Sequence, residues 1–241
     1  MSGAATGVSV IIPTLDEADR IEDALLSAVG AFGESVDLIV ADGGSSDDTV
    51  ARASRHARVV VLESCRGAQL NAGARLARCC TLVFLHADTR LDPAAGGCIR
   101  EAIGSPGTVG GCCRFGLILD ESVRTRDLRY RLLTWAVNLR TRVFRTATGD
   151  QAIFVTRTAF DRVGGFPEDP LFEDVAFVRA LRRLGRFCPV DALAGTSGRR
   201  WQERGFLRTV LEHWLLRAAY QVRIPPRLLA RWYAARIRRG A

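Results

Sequence analysis

The sequence predicts an α/β fold in which helices flank a mainly parallel sheet, and two observations support this prediction. Strand and helix patterns alternate through the first half of the chain, as βαβ units require. Apolar, β-branched runs also end in clusters of carboxylates, hydroxyls and glycines. Ligands of open α/β sheets bind outside the carboxyl ends of the strands, so these clusters are expected to face one crevice.

The individual elements follow from apolar runs and amphipathic stretches. Strands are predicted near residues 8–12, 37–41, 58–62 and 81–86, with helices near 17–30, 47–57 and 67–78 between them. Further along, the patterns predict helices near 93–103, 122–144, 174–184, 204–221 and 226–238, and strands near 108–116 and 152–155. Three helix starts have local signals: a capping box at Thr14 and Glu17, acidic residues after Ser46, and Pro93 at a first helical position.

Length and composition are those of an ordinary globular protein, with 241 residues, 48% of them hydrophobic and 25% charged. We expect one domain at 1–203 and a helical extension at 204–241 packed on it. The sequence shows neither a leader peptide nor an apolar run long enough to span a bilayer, so a cytoplasmic location is expected. Seven cysteines without a C-x-x-C pair indicate free thiols in a reducing compartment.

The formal net charge is +8, and all 34 basic residues are arginine. They concentrate at 124–145 and 199–239, which suits phosphates, acidic substrates or an anionic membrane surface. Nucleic acid is not an expected partner, because no binding motif is present and aromatic residues do not interleave with the arginines. The C-terminal helices leave two alternatives open: peripheral contact at the inner membrane face, or packing of one face on the domain.

The first two strands end in Pro13-Thr14-Leu15-Asp16-Glu17 and in Asp42-Gly43-Gly44-Ser45-Ser46-Asp47-Asp48-Thr49. Carboxylates there can accept hydrogen bonds from ribose hydroxyls and base N–H groups, while glycines let a ligand approach the backbone. Capping of the following helices is the alternative explanation for the hydroxyls and for Glu17 and Asp47. Capping does not explain Asp42.

The ordered series of motifs resembles glycosyltransferase family 2, whose members have the GT-A fold and use nucleotide-sugar donors. The motifs are Pro13-x-x-Asp16-Glu17, Asp42 to Thr49, Arg66-Gly67 with Asn71, His86-Ala87-Asp88, Glu173-Asp174 and Arg200-Trp201, between about residues 7 and 202. The version in this chain is similar to small soluble bacterial members. Some of those are encoded beside radical-SAM or arsenosugar-type biosynthesis, which points to a small-molecule acceptor.

The resemblance implies a role for each motif. Asp88 would bind Mn²⁺ or Mg²⁺, and His86 stands where the family usually has the first aspartate of Asp-x-Asp, which leaves its metal role open. Asp174 would be the general base, with Glu173 supporting acceptor binding or orientation. Gly149, Asp150 and Gln151 would line the acceptor pocket. The donor site would comprise Pro13, Thr14, Asp16, Glu17, Asp42, Gly43, Gly44, Ser45, Arg66, Gly67, Asn71, Ala87, Asp88, Arg200 and Trp201.

The expected activity is inverting transfer of a sugar from a nucleotide donor, with UDP as the expected carrier, to a small-molecule or lipid-linked hydroxyl acceptor. Ser197 replaces the glutamine of the family's Q-x-x-R-W motif, which puts processive polymer synthesis in doubt. A nucleotidyltransferase of related fold is one alternative, but the chain lacks a glycine-rich basic loop after its first strand. A non-catalytic nucleotide-sugar or partner-binding module is the other, favoured by His86. The sugar, the base and the oligomeric state stay open.

Overall fold

The computed structural model describes residues 5–62, 65–119, 128–198 and 205–238. The first half contains β1 (Ala5–Thr14), α1 (Ile21–Phe32), β2 (Asp37–Asp42), α2 (Thr49–Ala53), β3 (Arg58–Val61), α3 (Arg66–Leu76), β4 (Cys79–Phe84), β5 (Thr89–Leu91), α4 (Ala95–Gly104) and β6 (Thr108–Ile118). The second half contains α5 (Leu128–Phe144), β7 (Ile153–Thr156), α6 (Arg157–Val163), α7 (Glu173–Leu184), β8 (Arg186–Ser197), α8 (Phe206–Gln221) and α9 (Pro226–Arg238).

These strands form one mixed sheet in the order β3-β2-β1-β4-β7-β6-β8-β5. β1 pairs in parallel with β2 and with β4, β2 with β3, and β6 with β8. β7 is antiparallel to β4 and β6, and the short β5 is antiparallel to β8. The register sets Thr14 beside Asp42, so β1 and β2 end together and their polar clusters start side by side.

The sheet is covered on both faces, which explains the nearly continuous apolar runs of its parallel strands. Along β1, Val10 and Ile12 belong to one buried cluster, while Ile11 belongs to the other. Helices α1 and α4 contribute to the first cluster, and α3, α6 and α7 to the second. The predicted α/β class with a mainly parallel sheet is therefore confirmed.

Three elements were not predicted from the sequence: β5, α6 and β8. β8 is twelve residues long, but Pro189 and Gly195 interrupt its apolar pattern. Its pairing with β6 also shifts register between Cys112 and Arg114, and such irregular strands lack clean alternation. β5 has only three residues and depends on β8 for pairing.

The local signals for helix starts were wrong in three places. α1 begins at Ile21, and the Thr14 hydroxyl donates to Asp42 instead of capping a helix with Glu17. α2 covers only Thr49–Ala53 and follows Asp48, not Ser46. α4 begins at Ala95, two residues after Pro93. The loops before α1 and α2 are therefore longer than predicted, and their polar groups bond to one another.

Aromatic contacts fix α8 against the rest of the molecule. Tyr220 of α8 stacks on Phe172, the residue before α7, with ring centroids 4.5 Å apart. Phe206, at the other end of α8, meets Tyr130 of α5 edge-on at 5.2 Å. α8 thus lies across α5 and the start of α7. Within the described ranges, none of the helices is both long enough and apolar enough to cross a bilayer.

Candidate active site

The loops after β1 and β2 are joined by hydrogen bonds into one polar crevice, as predicted. The Asp16 backbone N–H donates to Ser45 Oγ at 2.9 Å, and the Ser46 N–H donates to Asp16 Oδ1 at 2.8 Å. The Glu17 N–H donates to Thr49 Oγ1 at 2.8 Å. Asp16 adopts a left-handed conformation with φ of 53°, an uncommon one for a residue with a Cβ. The reciprocal bonds hold it in this conformation.

Asp42 is fully buried and organises this crevice. Its Oδ1 accepts the N–H groups of Gly44 and Ser45, and its Oδ2 accepts the hydroxyls of Thr14 and Ser45. Burial by itself would raise the pKa of Asp42, but the hydrogen bonds from Ser45, Thr14 and Gly44 outweigh it and lower the pKa. A carboxylate has about four acceptor positions, and these four hydrogen bonds occupy them. Asp42 therefore shapes the loop that would meet a ligand.

We expect Asp42→Asn to lower the free energy of unfolding by about 3 kcal/mol at neutral pH, since an amide cannot accept all four bonds. The folded pKa is depressed, so this contribution is present above the usual value of 3.8 and is lost as the pH falls through the folded pKa. Urea unfolding at pH 7 and near pH 3 measures both effects. Asp161→Asn, an exposed change on α6, is the control. Equal stability of both variants at pH 7 would contradict this role.

Glycines and one buried amide bring α3 close to the crevice. A Cβ on Gly43 would lie 2.4 Å from Nε2 of Gln69, whose amide donates to the Thr14 carbonyl at 3.1 Å. Gly44 has φ of 92°, which favours glycine. No sequence pattern indicates this role of Gln69, because a lone glutamine on a helix has no distinguishing signal.

α3 also holds the loop between α6 and α7. The Asn71 amide donates to the Phe166 carbonyl at 2.9 Å and accepts the Phe166 N–H at 2.8 Å. A Cβ on Gly67 would lie 2.2 Å from the Pro167 carbonyl oxygen, so only glycine permits this approach. Asn71 and Gly67 therefore position the loop that leads into Glu173 and Asp174.

A cluster of phenylalanines brings the start of α7 to the end of β4. Phe84 is the last residue of β4, and its ring meets Phe166 edge-on with centroids 4.7 Å apart. Phe166 in turn stacks on Phe177 of α7 at 4.0 Å. Because aromatic packing of this kind contributes about 1 kcal/mol per pair beyond the buried area, it fixes α7 firmly. The first turn of α7 therefore faces the residues that follow Phe84.

A narrow cleft with a cavity volume of about 10 Å³ lies between these elements. Its lining residues are Arg66, Leu70, Phe84, His86, Gly149, Ile153, Phe166, Glu173 and Asp174. Glu173 is buried and forms an ion pair with Arg66 at 3.3 Å. Burial, and then the charge of Asp174, raise the pKa of Glu173, while Arg66 opposes the rise. The predicted pair Glu173 and Asp174 thus reaches the same cleft as His86.

Asp174 is held by the backbone in the first turn of α7. Its Oδ2 accepts the Gly149 N–H at 2.7 Å, and its Oδ1 accepts the Val175 N–H at 2.6 Å. Negative charge at a helix N-terminus is also stabilised by the helix dipole. Phe172, just before this helix, is left-handed with φ of 64°. These contacts set the carboxylate at the cleft wall.

The turn Gly149–Gln151 divides into residues on the cleft side and a residue in the interior. The Asp150 carboxylate accepts the Thr148 hydroxyl at 2.5 Å. Burial, and then Asp174, raise the pKa of Asp150, against the Thr148 hydrogen bond and the charge of Arg140. Gln151 is fully buried, and its amide donates to Thr141 at 3.1 Å. In this structure Gln151 therefore joins the turn to α5, away from the acceptor position predicted for it.

Asp88 and His86 follow β4, but they have different surroundings. Oδ1 of Asp88 accepts the hydroxyls of Thr89 and Thr196 at 3.3 Å each, while its Oδ2 accepts no hydrogen bond from the described residues. His86 packs against Gly149, where a Cβ would lie 2.3 Å from its Nε2. Asp88 therefore has an oxygen suited to a divalent cation, and His86 faces the side of the cleft that holds Asp174.

Across the described ranges, histidine, cysteine and carboxylate side chains do not converge in groups of three or more that would hold a metal. Mg²⁺ is commonly bound through one or two carboxylates together with substrate phosphates. Ala87 is buried between His86 and Asp88. Arg200 and Trp201 lie outside the described residues. The chain enters that segment from Ser197, whose N–H donates to the Asp88 carbonyl at 3.0 Å.

The mixed sheet flanked by helices matches the GT-A fold of glycosyltransferases. The chain belongs to glycosyl transferase family 2, whose family model matches residues 9–160. A sequence search among curated proteins gives no significant match.

Solved structures support the same fold. TarS from S. aureus, in complex with UDP-GlcNAc, superposes with a TM-score of 0.58 at 17% identity over 79% of this chain and 58% of that one. Mannosyltransferase PcManGT from Pyrobaculum calidifontis, with GDP-Man and Mn²⁺, gives 0.59 at 21% identity over 88% and 60%. Glucosyl-3-phosphoglycerate synthase from Mycobacterium tuberculosis, with Mn²⁺, UDP and glucosyl-3-phosphoglycerate, gives 0.55 at 21% identity over 80% and 71%. The chain thus spans about 60% of the first two.

Proposed function

We propose that the chain transfers a sugar, with inversion, from a nucleoside-diphosphate donor to a hydroxyl acceptor. The observation that supports this most directly is the placement of Asp174, a backbone-held carboxylate in the cleft that β4 and its following loop enter. Family membership favours glycosyl transfer over nucleotidyl transfer. The bound nucleotides of TarS, PcManGT and the mycobacterial synthase support a nucleotide-sugar donor.

In the proposed reaction Asp174 accepts the proton of the acceptor hydroxyl as its oxygen attacks the anomeric carbon. The new C–O bond forms as the bond from that carbon to the diphosphate oxygen breaks, and the nucleoside diphosphate leaves with the electron pair. Attack from the face opposite the leaving group inverts the anomeric centre. Glu173, paired with Arg66, borders the same space and orients the acceptor.

The crevice formed by the β1 and β2 loops is proposed to hold the nucleoside. Asp16 and Glu17 supply carboxylates at its rim, while Asp42, Gly43, Gly44 and Ser45 shape its wall. Asp88 is proposed to bind a divalent cation, and a metal role for His86, two residues before it, stays open. When bound, Mn²⁺ or Mg²⁺ would neutralise the charge that develops on the leaving diphosphate.

Calorimetric titration tests the proposal. UDP, GDP and their common sugar conjugates are titrated with and without Mn²⁺ or Mg²⁺, starting from UDP as the expected carrier. Metal-dependent binding of one nucleotide would support the transferase and name the donor class. Slow, metal-dependent hydrolysis of the bound sugar nucleotide would exclude a non-catalytic module. If no nucleotide bound under any condition, the result would contradict the proposed transferase activity and, with it, the proposed small-molecule acceptor.

We also propose that the 204–241 extension, together with α5, contacts an anionic membrane surface. α5 exposes an apolar stripe that includes Trp135, 61% exposed, and α8 exposes another that includes Trp214, 73% exposed. Exposed arginines adjoin the stripes: Arg131, Arg142, Arg208 and Arg223. Interfacial helices combine apolar and cationic residues in this way, and the attraction to anionic lipid adds to apolar burial. Such contact would place the enzyme at the inner membrane face.

We expect co-sedimentation with phosphatidylglycerol vesicles, and about thirtyfold weaker partitioning for Trp214→Ala, because burying one aromatic side chain contributes about 2 kcal/mol. Leu26→Ala removes an exposed apolar residue on α1, outside the stripes, and serves as the control. Equal binding to neutral phosphatidylcholine, or none to either vesicle, would contradict the proposal. Self-association of the free protein would instead assign the stripes to a second copy.

A further inference from the structure

Arg140 of α5 has a buried guanidinium edge without a hydrogen-bond partner. Its Nε and Nη2 are both buried, and neither donates to any acceptor in the described part of the chain. These two N–H groups form one edge of the guanidinium plane, the fork that binds two oxygens of a carboxylate or phosphate side-on. A buried cation with unused donors is costly in free energy. Such a group calls for a functional explanation.

The helix that carries Arg140 is held in place on both sides of it. Asn138 clamps the backbone of β6, accepting the Phe115 N–H and donating to the Phe115 carbonyl at 2.9 Å each. Thr141 is buried and accepts a hydrogen bond from the Gln151 amide at 3.1 Å. Arg140 lies between these two anchors. Its position is therefore fixed by α5, β6 and the Gly149–Gln151 turn.

A second arginine approaches from the C-terminal side. Arg217 of α8 lies one helical turn before Tyr220, the residue that stacks on Phe172. Burial lowers the pKa of Arg217, against the charges of Asp174 and Asp150. Burial, and then the nearby charge of Arg217, lower the pKa of Arg140 to about 10. Both cations are thus within electrostatic range of the proposed base.

The nearby carboxylates do not satisfy these cations directly. Asp150 accepts the Thr148 hydroxyl. Asp174 accepts the backbone N–H groups of Gly149 and Val175. In the described ranges neither carboxylate forms an ion pair with Arg140 or Arg217. Two guanidiniums therefore lie within electrostatic range of the proposed base, whose own oxygens accept backbone N–H groups.

We propose that Arg140 and Arg217 form a subsite for an oxyanion, a carboxylate or phosphate, carried by the acceptor. That the bound molecule is the acceptor depends on the proposed function. That the subsite binds an anion depends only on the two arginines. The pair lies within electrostatic range of Asp174, the proposed base, and this favours the acceptor over the donor diphosphate. An anionic acceptor bound here would present a hydroxyl to Asp174. Neutral hydroxyl compounds would be poor substrates.

Inorganic phosphate is the probe, titrated into the protein with and without a saturating nucleoside diphosphate and Mn²⁺. The proteins are wild type, Arg140→Gln, Arg217→Gln and, as the control, Arg183→Gln, an exposed change on α7. We expect phosphate to bind wild type and Arg183→Gln in both conditions. Each subsite variant should bind phosphate about tenfold to a hundredfold more weakly, since one charged hydrogen-bond pair is lost. Nucleotide affinity should change less than about twofold.

Two outcomes would overturn the proposal. If nucleotide displaces phosphate and both variants weaken nucleotide binding, the pair serves the donor diphosphate. If phosphate binds all four proteins equally, or none, the arginines do not form an anion subsite. Thermal unfolding provides the check on folding. Loss of a buried, unpartnered cation should leave Tm unchanged or raise it, and added phosphate should raise Tm for wild type and for the exposed control variant more than for the two subsite variants. The arm without nucleotide still tests the pair if no nucleotide binds, so failure of the proposed function would be recognised separately.

Discussion

Asp174→Asn is expected to reduce the rate of sugar transfer by about 10²- to 10⁴-fold, the usual contribution of a positioned general base. The amide keeps one oxygen that can accept the Gly149 N–H, so the first turn of α7 should stay in place. It has no basic oxygen to receive the acceptor proton. kcat measured with saturating donor, and the nucleotide Kd by calorimetry, separate the two roles.

Two neighbouring variants serve as comparisons for this prediction. Glu173→Gln breaks the pair with Arg66 at 3.3 Å and should raise KM for the acceptor more than it lowers kcat. Asp150→Asn should have a smaller effect on kcat than Asp174→Asn. Full turnover of Asp174→Asn would show that the base is another group, and a selective loss in Asp150→Asn would name it. Loss of nucleotide binding in Asp174→Asn would indicate a structural role.

Asp88→Ala is expected to remove the metal dependence of nucleotide binding and to reduce transfer by about a hundredfold or more. The reason is that a divalent cation contributes several kcal/mol of charge stabilisation at a leaving diphosphate, and each 1.4 kcal/mol is tenfold. Titration of UDP or GDP across a Mn²⁺ series measures the coupling directly. Binding should become weak and independent of Mn²⁺.

Asp92→Ala is the matched control, a half-buried aspartate four residues further along the same segment whose carboxylate accepts only the Ala94 N–H among the described residues. It should keep the metal dependence of wild type. If Asp88→Ala also kept it, the cation would be held elsewhere. His86→Ala then distinguishes a ligand from a packing group: loss of Mn²⁺ dependence would make His86 a ligand, whereas unchanged dependence would leave it as a contact of Gly149.

Sequence patterns predicted the sheet well where strands are buried on both faces. β1 and β2 are continuous apolar runs, and their polar ends meet at Thr14 and Asp42 as expected. β8 escaped prediction because its pairing is irregular and its sequence includes Pro189. It nevertheless supplies Thr196, whose hydroxyl donates to Asp88. One of the two hydroxyls that donate to the proposed metal ligand was therefore not predicted from the sequence.

The site residues divide along a similar line. Motif spacing brought Arg66, His86 and the pair Glu173 and Asp174 to one cleft, because strand ends and helix starts have readable signals. It placed Gln151 with them, although that side chain is buried against Thr141. Nothing distinguishes Arg140 from the other arginines of its helix. Which face of α5 turns inward is decided by tertiary packing, through Asn138 and Thr141.

The stacking of Tyr220 on Phe172 has an evolutionary consequence. The α/β core ends at β8, whereas one wall beside the proposed base is supplied by a separate helix that follows it. A lineage could therefore replace α8 and change the charge presented to the acceptor without altering the donor crevice. Chimeras that keep residues 1–203 and exchange the remaining helices between relatives would then exchange acceptor preference while retaining the nucleotide. Acceptor preference would then change through the last helices, while the catalytic centre would stay the same between relatives.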